Sequence, residues 1–180
     1  MSKFKEERIS GELVYAGDFL KVHRDVVRLP DGSQSEREFI RHPGAVAIVA
    51  LTGAGEVVLE RQYRYPMGRE LVEIPAGKLE AGEAHLETGK RELLEETGYA
   101  AAKWTYLGQV HNAIGYSDEA IELWLATGLE KHEAQLDEGE FLEVFTLPFD
   151  EALAMAADGR ISDVKTIVGL FWAGERRQKG

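Results

Sequence analysis

The sequence predicts an α+β protein: an α/β/α sandwich with a mixed central sheet, preceded by a small N-terminal antiparallel β-sheet. Three observations carry that prediction. Residues 10–42 read as short β-rich runs joined by a tight turn. Ala45 to Leu51 is an unbroken apolar run, as expected of a strand covered on both faces. Helical stretches at 84–97, 148–157 and 162–175 fall between and after further strands, which places the sheet between helices.

Taken in order, Gly11 to Ala16 and Leu20 to Leu29 are the first strands, and Ser35 to Arg41 the third. Pro30-Asp31-Gly32 turns the chain between the last two, because Pro presets φ and Gly accepts a positive φ. A sheet of this size buries little core alone. Residues 1–42 are therefore expected to pack on the remainder, 43–180, or on a partner subunit. His42-Pro43-Gly44 marks the boundary, and Ala45 to Leu51 then turns at Thr52 to Gly55 into a second strand, Val57 to Arg64. Glu70 to Ile74 is extended and stops at Pro75 and Gly77. Ala84 to Thr97 reads as a helix, and Gly98 is its C-terminal stop. A strand from Trp104 to Val110, a loop from His111 to Asp118 and a strand from Glu119 to Leu129 follow, with Trp104 and Trp124 as core aromatics. An acidic connection, Glu130 to Glu140, leads to a strand from Leu142 to Leu147. Pro148 opens a helix through Ala157, and Ser162 to Glu175 is an amphipathic closing helix.

At 180 residues and 44% hydrophobic content the chain can bury a sizeable core. Its 32 acidic residues against 21 basic ones give a formal charge of −11. That excess disfavours nucleic acid as a partner, since phosphate backbones would be repelled, and suits a protein that works with cations. The absence of cysteine excludes a disulfide framework and thiolate chemistry. The N-terminus has no apolar signal region and no run approaches the length of a membrane span. The expected compartment is the cytoplasm, with no membrane partner.

The stretch from Gly77 to Tyr99 carries the chemistry. On the helix, Leu86, Gly89, Leu93 and Thr97 recur at helical spacing and form the packed side. Glu92, Glu95 and Glu96 fall within an arc of about 100°. Two unit charges 4 Å apart repel by roughly 4 kcal/mol at an effective dielectric of 20. Such a stripe is either a solvated acidic face or a site for a hard divalent ion, which takes oxygen ligands. Arg91, four residues before Glu95, is within salt-bridge reach of it and leaves Glu92 and Glu96 to face a metal, with both side chains turned out of the core.

These residues resemble the Nudix box, G-x5-E-x7-R-E-U-x-E-E-x-G-U with U apolar. Gly77, Glu83, Arg91, Glu92, Leu93, Glu95, Glu96 and Gly98 all match, and Tyr99 takes the last apolar place. Gly89 stands where the family usually has Ala, at a cost of about 1 kcal/mol of helix propensity. The resemblance implies a Nudix-type sandwich and hydrolysis of a diphosphate bond with Mg²⁺, Mn²⁺ being the alternative ion. It implies metal ligands at Glu92, Glu96, Glu140 and the backbone carbonyl of Ala76. For the general base it points to Glu138 in Asp137-Glu138-Gly139-Glu140, with Glu140 and Glu95 as alternatives.

The N-terminal sheet narrows the resemblance to ADP-ribose pyrophosphatases and nucleoside diphosphate sugar hydrolases. These exchange such a sheet across a homodimer, so the module is expected to serve dimerisation and part of the nucleotide pocket. In that group arginines corresponding to Arg41 and Arg64 clamp the diphosphate, for which the guanidinium fork is suited. Glu119 matches a glutamate near the distal sugar. Tyr15 and Phe19 are placed either to stack an adenine or to serve a core or interface. Ile114 stands where ADP-ribose hydrolases often have proline, which weakens a strict ADP-ribose preference and favours acceptance of GDP-mannose and others. A nucleotide-sugar sensor without catalysis and a pyrophosphatase for another nucleotide are the competing readings.

Overall fold

The computed structural model describes residues 2–136, 139 and 141–178. Glu138 and Glu140 lie outside the described residues. Two compact units emerge. One comprises the chain up to Pro43 together with His111–Ala120, and the other comprises Gly44–Val110 and the chain from Ile121 onward.

The first unit holds an antiparallel sheet of β1 (Glu7–Ala16), β2 (Lys21–Arg28) and β3 (Gln34–Ile40), in the order β1-β2-β3. Strand β1 starts earlier than its apolar residues announce, because Glu7 and Arg8 pair with Arg28 and Val27 of β2. The turn at Pro30–Gly32 forms as its residues require, with Gly32 at φ 88° and Asp31 accepting from Ser33 N–H at 2.9 Å. The loop at 111–120 joins this unit through local bonds. Ile40 N–H donates to Tyr116 O at 2.8 Å, and His42 N–H donates to Asp118 Oδ1 at 2.8 Å.

The second unit is built on a seven-stranded mixed sheet. Strands β4 (Ala45–Leu51) and β9 (Ile121–Lys131) run parallel at its centre, with β8 (Tyr99–Val110) outside β9. On the other side β5 (Glu56–Arg64) pairs with β10 (Leu142–Pro148) and with β6 (Arg69–Glu73), while β7 (Ala76–Lys78) pairs with β4. Strand β4 is buried along its whole length, and its period of two sorts residues to two cores. Ala45, Ala47, Val49 and Leu51 pack with α2 (Phe149–Ala157) and α3 (Val164–Gln178). Val46, Ile48 and Ala50 pack with Leu93 of α1 (His85–Thr97). That is the predicted sandwich.

Several boundaries differ from the sequence reading. β8 begins at Tyr99 rather than Trp104, because β9 extends to Lys131 and supplies partners for its Ala-rich start. β9 begins at Ile121 rather than Glu119. The short β7 lies where a loop was expected, held by Ala45–Ala47 of the central strand. The closing helix starts at Val164, because Asp163 caps it through Thr166 N–H at 3.0 Å. Gly89 has a packing reason: a Cβ there would lie 3.1 Å from Val46 Cγ1. Trp104 and Trp124 are half-buried against the α1-side core.

Candidate functional site

Helix α1 and the short strand β7 build the centre of the site. Gly98 ends the helix in the left-handed region at φ 68°, and its N–H returns to Leu94 O. Within the helix Arg91 is the hub. Its Nε and Nη2 donate to Glu83 Oε1 and Oε2 at 3.2 Å each, and its Nη1 to Glu95 Oε2 at 2.9 Å. The same Nη1 lies 3.0 Å from Glu92 Oε1. Arg91 therefore orients three carboxylates, not Glu95 alone. The hydrogen bonds to Glu83 raise the Arg91 pKa most, against burial, with Glu95 next. Glu83, held by Arg91 and by Thr88 Oγ1 at 2.7 Å, has its carboxyl lowered by both. Its role as an anchor was not legible from the acidic spacing, since it lies eight residues from Arg91 and before the helix begins.

The two carboxylates expected to face out of the core do not. Glu96 is buried, and its Oε2 accepts from Ala76 N–H at 3.0 Å. The Glu92 side chain is 15% exposed. Its carboxylate lies so close over Gly77 that a Cβ there would sit 1.9 Å from Glu92 Cδ. Gly77 is thus a glycine for close approach, and β7 covers the acidic stripe of α1. Glu92 and Glu96 converge on the Ala76–Gly77 backbone as hard oxygen donors, a set that fits a divalent cation preferring oxygen. Among the described residues no three His, Cys, Asp or Glu side chains form a complete metal cage by themselves.

Arg64 ends β5 in the same unit. Its Nε and Nη2 donate to Glu73 Oε1 and Oε2 at 2.7 and 2.8 Å. The Glu73 bonds raise the Arg64 pKa most, against burial, and the charges of Asp163 and Glu96 add to it. Arg64 therefore sits within the field of the candidate metal ligand Glu96. Burial pushes the Glu73 carboxyl up, but Arg64 and Lys165 outweigh it and hold it at about 2. Glu73 and Lys165 are both buried and form a direct ion pair. Neither was marked by any motif.

The remaining expected residues lie in the first unit. Arg41 Nη1 donates to Asp118 Oδ2 at 2.7 Å, and its guanidinium stacks 4.8 Å from the Phe39 ring centroid. Burial raises the Asp118 carboxyl, but Arg41 and His42 N–H bring it down below its ordinary value. Glu119 Oε2 accepts from Asn112 Nδ2 at 3.2 Å, and its Oε1 lies 3.6 Å from His42 Nε2. Ile114 is 84% exposed on a turn closed by Tyr116 N–H to Ala113 O. Tyr15 and Phe19 are exposed, with the Phe19 ring edge on His42 at 6.4 Å.

Comparison with known proteins gives this geometry a family. The NUDIX domain family matches residues 41–167, and the nucleoside diphosphate sugar hydrolase N-terminal domain matches residues 6–40. The chain is 44% identical over 169 residues to the methanol dehydrogenase activator of Bacillus methanolicus, covering 93% of this chain and 91% of that one. It is 39% identical over 172 residues to the ADP-ribose pyrophosphatase of Bacillus subtilis, covering 94% and 93% respectively. A crystal structure of an ADP compounds hydrolase shares the fold, with a TM-score of 0.87 and 21% identity over 99% of this chain and 97% of that one. Nudix hydrolases generally use divalent metal ions, in keeping with the paired carboxylates on α1. With the family's domain spanning most of its length and the whole box in place, the chain belongs to the NUDIX domain family and is a Nudix hydrolase.

Proposed function

We propose that the chain hydrolyses the diphosphate bond of nucleoside diphosphate sugars, with ADP-ribose the leading substrate and AMP and ribose 5-phosphate its products. GDP-mannose and related nucleotide sugars are also accepted. The observation that carries this reading is the convergence of Glu92 and Glu96 on the Ala76–Gly77 backbone within the field of Arg64. Glu92, Glu96, Glu140 and the Ala76 carbonyl would hold Mg²⁺, or Mn²⁺ in its place, which would supply neutralisation of the charge developing on the diphosphate. Glu138 takes a proton from the attacking water, with Glu140 or Glu95 as the alternative bases. Arg91 keeps Glu92 and Glu95 in position. Arg64 and Arg41 bind diphosphate oxygens through the guanidinium edges that their carboxylate partners leave open. Glu119 and Ile114 face the distal sugar, and Tyr15 or Phe19 stacks the base.

The working form is a homodimer that exchanges its N-terminal sheets. Strand β1 is exposed along its whole length in the single chain, and Ile9, Leu13, Val14 and Tyr15 are among its exposed residues. Burying those four apolar side chains against a partner removes a cost each chain otherwise bears in water. The compartment is the cytoplasm, where nucleotide sugars and Mg²⁺ meet.

A substrate panel tests this. With Mg²⁺, ADP-ribose and GDP-mannose should both be cleaved, with kcat/KM values within about 10³-fold of each other, and ATP should be poor. The exposed Ile114 is the reason for that breadth, since it leaves the loop without the constraint of a proline. Nucleotide sugars that bind without Mg²⁺-dependent release of a nucleoside monophosphate would point to a sensor instead. A second reading, regulation of another protein, is favoured by the identity with the relative named as an activator. It is tested by adding the chain to an alcohol dehydrogenase with and without an intact Glu92.

A further inference from the structure

We propose that Lys165 is a positioning residue for diphosphate binding, acting through Glu73 to aim Arg64; this rests on the reading that Arg64 binds the substrate diphosphate. An arginine at a strand end has four side-chain torsions to fix, and the Arg64 side chain is 44% exposed. Its orientation is set by Glu73, whose side chain is 4% exposed and takes the guanidinium side-on through Nε and Nη2. Those bonds use two of the five guanidinium N–H groups and leave the Nη1 edge for an incoming oxygen. A carboxylate can hold that fork in one direction only if its own rotamer is fixed.

Lys165 fixes it. Its Nζ bonds Glu73 Oε2, the oxygen that Arg64 Nη2 also uses. Lys165 is held in turn by Asp163 at 3.1 Å. Asp163 accepts from Thr166 Oγ1 at 2.6 Å, and Thr166 Oγ1 accepts from the backbone N–H of Ile74 at 2.8 Å, the residue after Glu73. The ring closes: Glu73, Ile74, Thr166, Asp163, Lys165. It joins the start of α3 to the end of β6, three residues before Ala76, whose N–H is held by Glu96. A buried ion pair of this kind is a poor device for stability alone, because desolvation opposes the attraction, and its best-attested use is to fix register. Sharing Glu73 between two cations also keeps its charge from falling wholly on Arg64, which stays attractive to a diphosphate.

The experiment is a double-mutant cycle on the full-length protein with Mg²⁺ and ADP-ribose. Lys165→Met should raise KM by roughly tenfold with a smaller change in kcat, as loss of an outer-layer support does. Lys165→Arg should restore most of the loss. In an Arg64→Ala background Lys165→Met should add little, because the residue it positions is gone. The same cycle is read as the dissociation constant for ADP-ribose in EDTA. Lys165→Gln, which keeps a donor and removes the charge, replaces Lys165→Met if that variant unfolds. Additive effects of Lys165 and Arg64 substitutions, or an unchanged KM in folded Lys165 variants, overturn the proposal while leaving the hydrolase reading intact. A wild-type protein that neither cleaves nor binds nucleotide sugars overturns both.

Discussion

Glu73 shows how a single residue couples stability to the site. Its carboxyl is held at about 2 against an ordinary 4.5. A depressed folded-state value means that the stabilisation is fully present above 4.5 and is lost as pH falls through 2. The shift corresponds to the order of 3 kcal/mol. Wild type should therefore exceed Glu73→Gln in unfolding free energy near neutral pH, and the gap should narrow between pH 4.5 and about 2, where the unfolded chain binds a proton at this carboxyl that the native state does not. Urea titrations across that range check it; a constant gap contradicts it. At this scale the sequence was legible where partners are local. Helical spacing clusters Arg91, Glu92, Glu95 and Glu96 and finds the Arg91–Glu95 pair, though not the burial of Glu96 or the covering of Glu92. Glu73 and Lys165 were not, since they lie 92 positions apart. One signal was present: Lys165 falls with Gly169, Leu170 and Ala173 on the buried stripe of α3, where a lone charge needs a buried partner.

Among the elements, α1 was readable in full because a stop residue and a packed stripe frame it. Gly98 is required twice over. It has φ 68°, and a Cβ there would lie 2.6 Å from His132 O. Gly98→Ala should destabilise the fold by more than about 2 kcal/mol through strain and the clash with backbone, measured by thermal or urea unfolding. A loss below about 0.5 kcal/mol would show that the helix end relaxes freely. β7 and the start of β8 escaped the sequence reading for a common reason. Each is short or Ala-rich, with little β-propensity of its own, and becomes a strand through pairing with β4 or β9. The outward orientation expected of Glu92 and Glu96 failed for the same reason, because β7 is the element that covers them.

At the scale of the whole molecule, a chain of formal charge −11 must still attract an anionic diphosphate. Its own basic groups near the site, Arg64 and Arg91, are each engaged by carboxylates. Under the proposed function a divalent cation on Glu92 and Glu96 would reverse the local sign, and the proposal stands or falls on it. The direct measurement is ADP-ribose cleavage by wild type and Glu92→Gln over a Mg²⁺ titration, with thermal unfolding run alongside. We expect saturable dependence on Mg²⁺, no turnover in EDTA, and a fall of roughly 10²-fold or more in kcat/KM for a folded Glu92→Gln protein. Turnover by wild type in EDTA, or near-full activity of Glu92→Gln at low Mg²⁺, would contradict the proposal.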